Sequence, residues 1–264
     1  MMYGYGIGIS PNNRLFSGNS VLDPDASAFI TTASITDGTQ QSAINQLVLD
    51  LKSYSIWSKI YAIYPMVGGN STAHSYNLID TSLFQLSFVG GWTHSSTGAL
   101  PNGTNALANT GWIQNNFPEA NFNSTIGFYS GTSTDGNADL GAYGGSGKTY
   151  LLRSRNSNLF GSYNQGQSTY STVANTDGSG FYSSSRLDSS TISLYKNGVL
   201  VSNPSNVSTA GMVLVQMQLS AYNSGFFGSK EHRLSFISLG LNDTENANLY
   251  TAVQAFQTTL SRNL

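Results

Sequence analysis

Carboxylates, histidines, serines and glycine-rich turns are the residues of this chain that could do chemistry, and the spacing of each kind decides what it can do. Glycoside cleavage needs two carboxyl groups facing one bond, one to protonate the leaving oxygen and one to attack or activate water. The chain has three glutamates, Glu119, Glu231 and Glu245, each isolated, and no Glu-x-Asp-x-x-Glu run. Asp135 and Asp139 are the nearest substitute, within Thr134-Asp135-Gly136-Asn137-Ala138-Asp139, where aspartates ordinarily cap their own backbone in a turn. The same alternation of Asp and Asn oxygens resembles a calcium loop, but the Asp-x-Asn-x-Asp-Gly spacing with its closing Glu is missing. Gly147-Lys148-Thr149 ends like a phosphate-binding loop, yet that motif needs a glycine where Ala142 stands, and a helix where Tyr150-Leu151-Leu152-Arg153 reads as a strand. His74, His94 and His232 have no carboxylate at metal-ligand spacing. His232, between Glu231 and Arg233 at a strand start, is expected at the surface. Gly145-Ser146-Gly147 and Gly178-Ser179-Gly180 lack the strand-to-helix setting of a nucleophile elbow. The expectation is a protein that is not an enzyme and holds no metal or cofactor.

Binding chemistry is better represented. Trp92 and His94, followed by Asn102, Asn105, Asn109 and Trp112, offer aromatic faces for sugar C–H groups and amides for hydroxyls, which is what a carbohydrate site uses. Against this stands the reading of Trp92 and Trp112 as core anchors, since tryptophan is highly buried on average. Five Asn-x-Ser/Thr sequons, at Asn70, Asn102, Asn123, Asn206 and Asn242, are expected by chance in such an Asn- and Ser-rich chain.

The elements that must position these residues follow from periodicity. Asp23-Pro24 is an N-cap followed by a first-turn proline, and Ala26, Phe29, Ile30 and Ala33 form one face. Asp37 and Gln40 have capping-box spacing ahead of Ala43, Ile44, Leu47, Val48, Leu51 and Tyr54, with a last turn expected at Ile56–Ile60. Tyr61–Tyr64 reads as a strand stopped by Pro65. Short strands then follow: Leu83–Val89, Thr125–Ser130, Leu140–Tyr143, Thr149–Arg153, Phe181–Ser184, Thr191–Tyr195, Val199–Val201, Val213–Leu219 and Arg233–Leu239. Asn197-Gly198 between alternating apolar residues demands a tight hairpin. Asn242 and Glu245 cap a closing helix along Leu249, Tyr250, Val253, Phe256 and Leu260. The expected organisation is an arm at 1–22, a helical lead at 23–64 and a β domain at 65–264.

Composition sets the class. Charged residues are only 9% of the 264, the net charge is −2, and there is no cysteine, so neither a disulfide framework nor a thiolate metal site is available. The balance excludes the basic footprint of a nucleic-acid binder. No apolar run reaches the length of a membrane span and the first residues lack a secretory pattern, so the chain is expected to be soluble and unprocessed. Fifteen Tyr, thirteen Phe and three Trp supply the core that Ser- and Gly-rich disordered chains lack.

The run Ile192-Ser193-Leu194-Tyr195-Lys196-Asn197-Gly198-Val199-Leu200-Val201 resembles the strand-Asn-Gly-strand hairpin of concanavalin A-like, laminin-G-like jelly rolls. The resemblance implies a central hairpin in a mainly β, two-sheet antiparallel sandwich. Asp23 to Trp112, with Gly91-Trp92-Thr93-His94, Asn102-Gly103-Thr104-Asn105 and Asn109-Thr110-Gly111, is similar to a module of tailed-bacteriophage structural proteins, as is the ending from Phe236-Ile237-Ser238-Leu239 to Arg262-Asn263. Those likenesses imply a virion component, tail- or fibre-associated, that forms a homo-oligomer, docks on neighbouring virion proteins and displays the jelly roll towards a host-surface glycan. The alternatives are a carbohydrate-binding module with no assembly role and, less favoured, a glycan-degrading enzyme.

Overall fold

The computed structural model describes residues 22–145, 148–165, 170–204, 211–223 and 225–264. The arm expected at 1–22 therefore lies outside the described residues except for Leu22. Among the described residues the four α-helices are α1 (Pro24–Thr32), α2 (Gly38–Ser53), α3 (Ser71–Ser75) and α4 (Asp243–Thr259). None is long and apolar enough to cross a membrane.

One antiparallel sheet contains β1 (Ile60–Tyr64), β3 (Trp92–His94), β4 (Ala99–Pro101), β6 (Ser124–Ser130), β11 (Gly180–Arg186), β12 (Ser193–Lys196), β13 (Val199–Ser202) and β17 (His232–Ser238). Its order is β13-β12-β11-β6-β17-β4-β3, with β1 also paired to β17. The second sheet contains β2 (Ser87–Val89), β5 (Leu107–Ile113), β7 (Leu140–Tyr143), β8 (Thr149–Asn156), β9 (Leu159–Tyr163), β10 (Ser171–Ala174) and β14 (Gln216–Leu219), in the order β10-β9-β8-β7-β14-β5-β2. A small hairpin, β15 (Ala221–Tyr222) with β16 (Phe226–Phe227), lies over β7. The chain is mainly β, two packed antiparallel sheets in a jelly-roll sandwich.

The alternation of side chains along a strand explains the layering. On β6 and β11, the facing pair Phe128 and Tyr182 enters the core between the sheets, while the next pair, Tyr129 and Phe181, turns to the other side. There it meets Leu249, Val253 and Phe256 of α4, and α4 in turn packs on α2. The middle of the eight-stranded sheet is thus covered on both faces, which is why every residue of β6 and β11 is buried. The capping signals act as expected: Asp37 accepts from Gln40 N at 2.8 Å, and Asn242 and Glu245 form a reciprocal capping box. An Asn242→Ala variant should lose about 1 kcal/mol of stability, read as a lower urea midpoint with unchanged cooperativity.

Some expectations are corrected. The Asn197-Gly198 hairpin forms, with φ of 50° and 74°, but β13 is the edge strand rather than a central one. The expected strand at 83–89 shortens to Ser87–Val89 and that at 213–219 to Gln216–Leu219. Beyond α2, Ser55 takes a positive φ of 60° and the chain adds only a 3-10 turn at Trp57–Lys59. β1 belongs to the eight-stranded sheet, where it pairs with β17.

Candidate functional site

The residues singled out for sugar binding do not converge. Trp112 is 1% exposed, packed among Tyr61, Phe117 and Tyr150, so it has no face to offer a ligand. Asn102 and Asn105 build their own loop: Asn102 Oδ1 accepts from Thr104 N and Asn105 N, and Asn105 Oδ1 accepts from Asn102 Nδ2 and Gly91 N. Asn109 stands on the outer face of the seven-stranded sheet, where it accepts from Gln218 Nε2 at 2.9 Å.

Trp92 and His94 instead join an aromatic pocket with the other two histidines. Trp92 Nε1 donates to Leu107 O, and its ring packs on Phe88, His94 and His232. His94 Nδ1 lies 2.9 Å from His74 Nδ1. One ring must donate and the other accept, and the buried His74 Nε2 has no partner. Buried N–H groups are left without an acceptor more rarely than lone pairs are left without a donor, which assigns the His74 proton to Nδ1, donating a hydrogen bond to His94 Nδ1. His232 is 1% exposed, which corrects the surface expectation: Glu231 and Arg233 pair with each other at 2.8 Å, and the residue between them turns inward. Burial, with His94 and Arg262 adding to it, pushes His74 down to about 3. Burial likewise takes His232 down to about 4 and lowers His94.

A cleft of about 320 Å³ opens at one end of the sandwich, lined by Gly103, Asp135, Gly136, Asn137, Asn156, Phe227 and Ser229. Four segments distant in sequence build it. The 132–139 loop brings Asp135, whose carboxylate accepts from Ser157 N at 2.9 Å. Ser157 and Asn158 turn β8 into β9 through positive φ values of 53° and 60°, a geometry that Asn and small polar residues tolerate. Asn156 Nδ2 donates to Gly136 O at 3.0 Å, and Ser229 Oγ donates to Asp135 O at 3.2 Å. Phe227 supplies an aromatic wall from β16, and the Asn102–Asn105 loop supplies Gly103.

Asp139 is not a turn cap. It is fully buried, accepts from Ser154 N, and pairs with the equally buried Lys230 at 3.2 Å. Lys230 Nζ also donates to Arg155 O at 3.0 Å, the carbonyl that receives Gly136 N. The ion pair is therefore the floor beneath the Asp135-Gly136 turn. A carboxylate, two amides and an aromatic wall in one open cleft can receive vicinal hydroxyls and stack an apolar sugar face. The aspartate-rich loop was visible in the sequence; its meeting with Asn156 and Phe227 was not.

No family model matches this chain, and no curated protein matches it. Solved structures do. Trypanosoma rangeli sialidase aligns over 80% of this chain and 38% of its own, at 11% identity and a TM-score of 0.53. Its complex with sialic acid aligns over 79% and 38%, at 13% identity and 0.51. Domain 4 of the extracellular arabinanase AbnA from Geobacillus stearothermophilus, in complex with arabinotriose, aligns over 72% and 98%, at 14% identity and 0.43. The chain spans about two fifths of the length of the sialidases. What this chain shares with the sialidases is the β-sandwich fold.

Proposed function

We propose that this chain is a non-enzymatic carbohydrate-recognition domain whose ligand enters the cleft at Asp135. The observation that carries the reading is the convergence of the Asp135 carboxylate, Asn137, Asn156 and the Phe227 ring on one open hollow. Asp139, the second carboxylate of that segment, is committed to Lys230, so the cleft has a hydrogen-bond acceptor for hydroxyls without the paired acid that hydrolysis requires. The finer reading, that the domain is displayed on a tailed-phage virion, rests on the sequence likeness of 23–112 and of the ending. Its homo-oligomeric form is supported by the uncharged edge strand β13, where Val199, Leu200 and Val201 are all exposed.

Binding is tested on a glycan array with the intact chain, then with Asp135→Ala and Phe227→Ala. Saturable binding that falls about tenfold or more in each variant, with an unchanged unfolding midpoint, is the expected result. A silent array, or binding indifferent to both changes, overturns the cleft. A stable oligomer in light scattering together with a silent array would favour assembly as the primary role.

A further inference from the structure

Beside the cleft, on the outer face of the seven-stranded sheet, runs a strip of neutral hydrogen-bonding groups. The register places Gln218, Asn109 and Ser87 side by side on β14, β5 and β2, while Gly141, the next position of the row on β7, lies buried under Ala221 and Tyr222 of the hairpin. The neighbouring outward positions are Tyr143, Gln216 and Gly111. Gln218 Nε2 donates to Asn109 Oδ1, and Gln216 Oε1 accepts from Gly111 N at 3.1 Å. Fixed in this way, the amides leave Gln216 Nε2, Gln218 Oε1 and Asn109 Nδ2 for a ligand, in the sequence donor, acceptor, donor. Tyr143 is 39% exposed at the end of the strip, edge-on to Tyr222 at 5.3 Å. Gly111 is open, with nothing within 4 Å of where a Cβ would stand.

The strip and the cleft flank the same β15–β16 hairpin. Phe227 walls the cleft, while Asn223 at the turn lines a hollow of about 210 Å³ with Tyr143, Val215, Gln216 and Gln218. We infer that the ligand of the Asp135 cleft is an internal stretch of a linear, neutral oligosaccharide that continues over this hairpin onto the Tyr143–Gln218–Asn109 strip. The inference rests on the carbohydrate reading of the cleft and names its substrate class. From β7 to β2 the strip spans roughly 14 Å at about 4.8 Å per strand, a run of a few sugar rings rather than one. Its side chains carry no charge; the cations beside it are Lys148, next to Gly144 at the Tyr143 end, and Arg153, which lies against the Tyr170 ring. The Asp135 carboxylate opposes an acidic sugar at the other end.

The test is calorimetry with ladders of neutral oligosaccharides, from monosaccharide to hexasaccharide, in the β-1,4-glucan, α-1,4-glucan, β-1,4-mannan and α-1,5-arabinan series. Affinity should climb about tenfold or more between monosaccharide and tetrasaccharide in at least one series. Tyr143→Ala and Gln218→Ala should flatten that climb, whereas Asp135→Ala should weaken every member of the series. A series already flat in the unmodified chain, with the monosaccharide bound at Asp135, overturns the strip and leaves the recognition reading standing. Silence across every ladder beside a binding signal on the glycan array overturns the neutral-chain inference alone, and silence on both overturns both.

Discussion

Replacing Lys230 with methionine should destabilise the protein by roughly 3–5 kcal/mol, the usual cost of leaving one buried ion without its partner. Asp139 and Lys230 are both 0% exposed, so no water replaces the lost ammonium. Methionine fills much of the same volume, which isolates the charge from the cavity. The measurement is the urea midpoint, expected to fall by about 1 M or more at unchanged slope. Adding Asp139→Asn should restore most of the loss, because the amide still accepts from Ser154 N but no longer carries a buried charge. Lys230 Nζ also holds Arg155 O, to which Gly136 N donates. The double variant should therefore regain stability without regaining the cleft, and sugar binding should stay weak. A single variant that unfolds at the parent midpoint would show that the pair is not sealed from water, and the rigid floor under Asp135 would go with it.

The same contrast between local and distant information runs through the rest of the molecule. Asp37, Asn242 and Asn197-Gly198 could be read directly, because a cap or a two-residue turn is set by residues within four positions of each other. β5 was legible in principle but missed: Ala108, Thr110 and Trp112 point inward and Asn109 and Gly111 outward. Parity alone says that Asn109 and Trp112 cannot share a face, which dissolves the sugar site drawn through both. His232 misled for a related reason, since the charges on either side of it belong to the opposite face of β17. The edge position of β13 and the meeting of Asp135 with Phe227 depend on strand order. Contacts between residues about 90 positions apart leave no mark in local periodicity. The uncharged composition pointed correctly to a β-sandwich, but it spreads Asn, Gln, Ser and Tyr so widely that no spacing distinguishes the strip on β14 and β5 from ordinary surface.

Acid should unfold this protein well before its carboxylates are protonated, because all three histidines are held neutral in one pocket. His74 and His232 sit at about 3 and about 4 in the folded chain, against about 6.5 when unfolded. A folded value below the unfolded one means that the unfolded chain binds the proton more tightly. The histidine contribution is therefore complete above pH 6.5 and is lost as pH falls from 6.5 towards 4, by several kcal/mol in all. Two neighbours sharpen the effect on His74: the Arg262 guanidinium, tied to Met66 O and Pro65 O, cannot move away, and a proton on His94 would set a second positive charge against His74. Asp177, lowered to about 2 by its serine hydrogen bonds, acts in a separate window, since its contribution fails only below about pH 4. Urea midpoints measured from pH 7.5 down to 4.5 should fall steeply, and His232→Phe should reduce that slope whatever it does to stability at neutral pH. A flat profile over that range, or one that His232→Phe leaves unchanged, would mean that water reaches the imidazoles and that the Trp92 pocket is open to solvent.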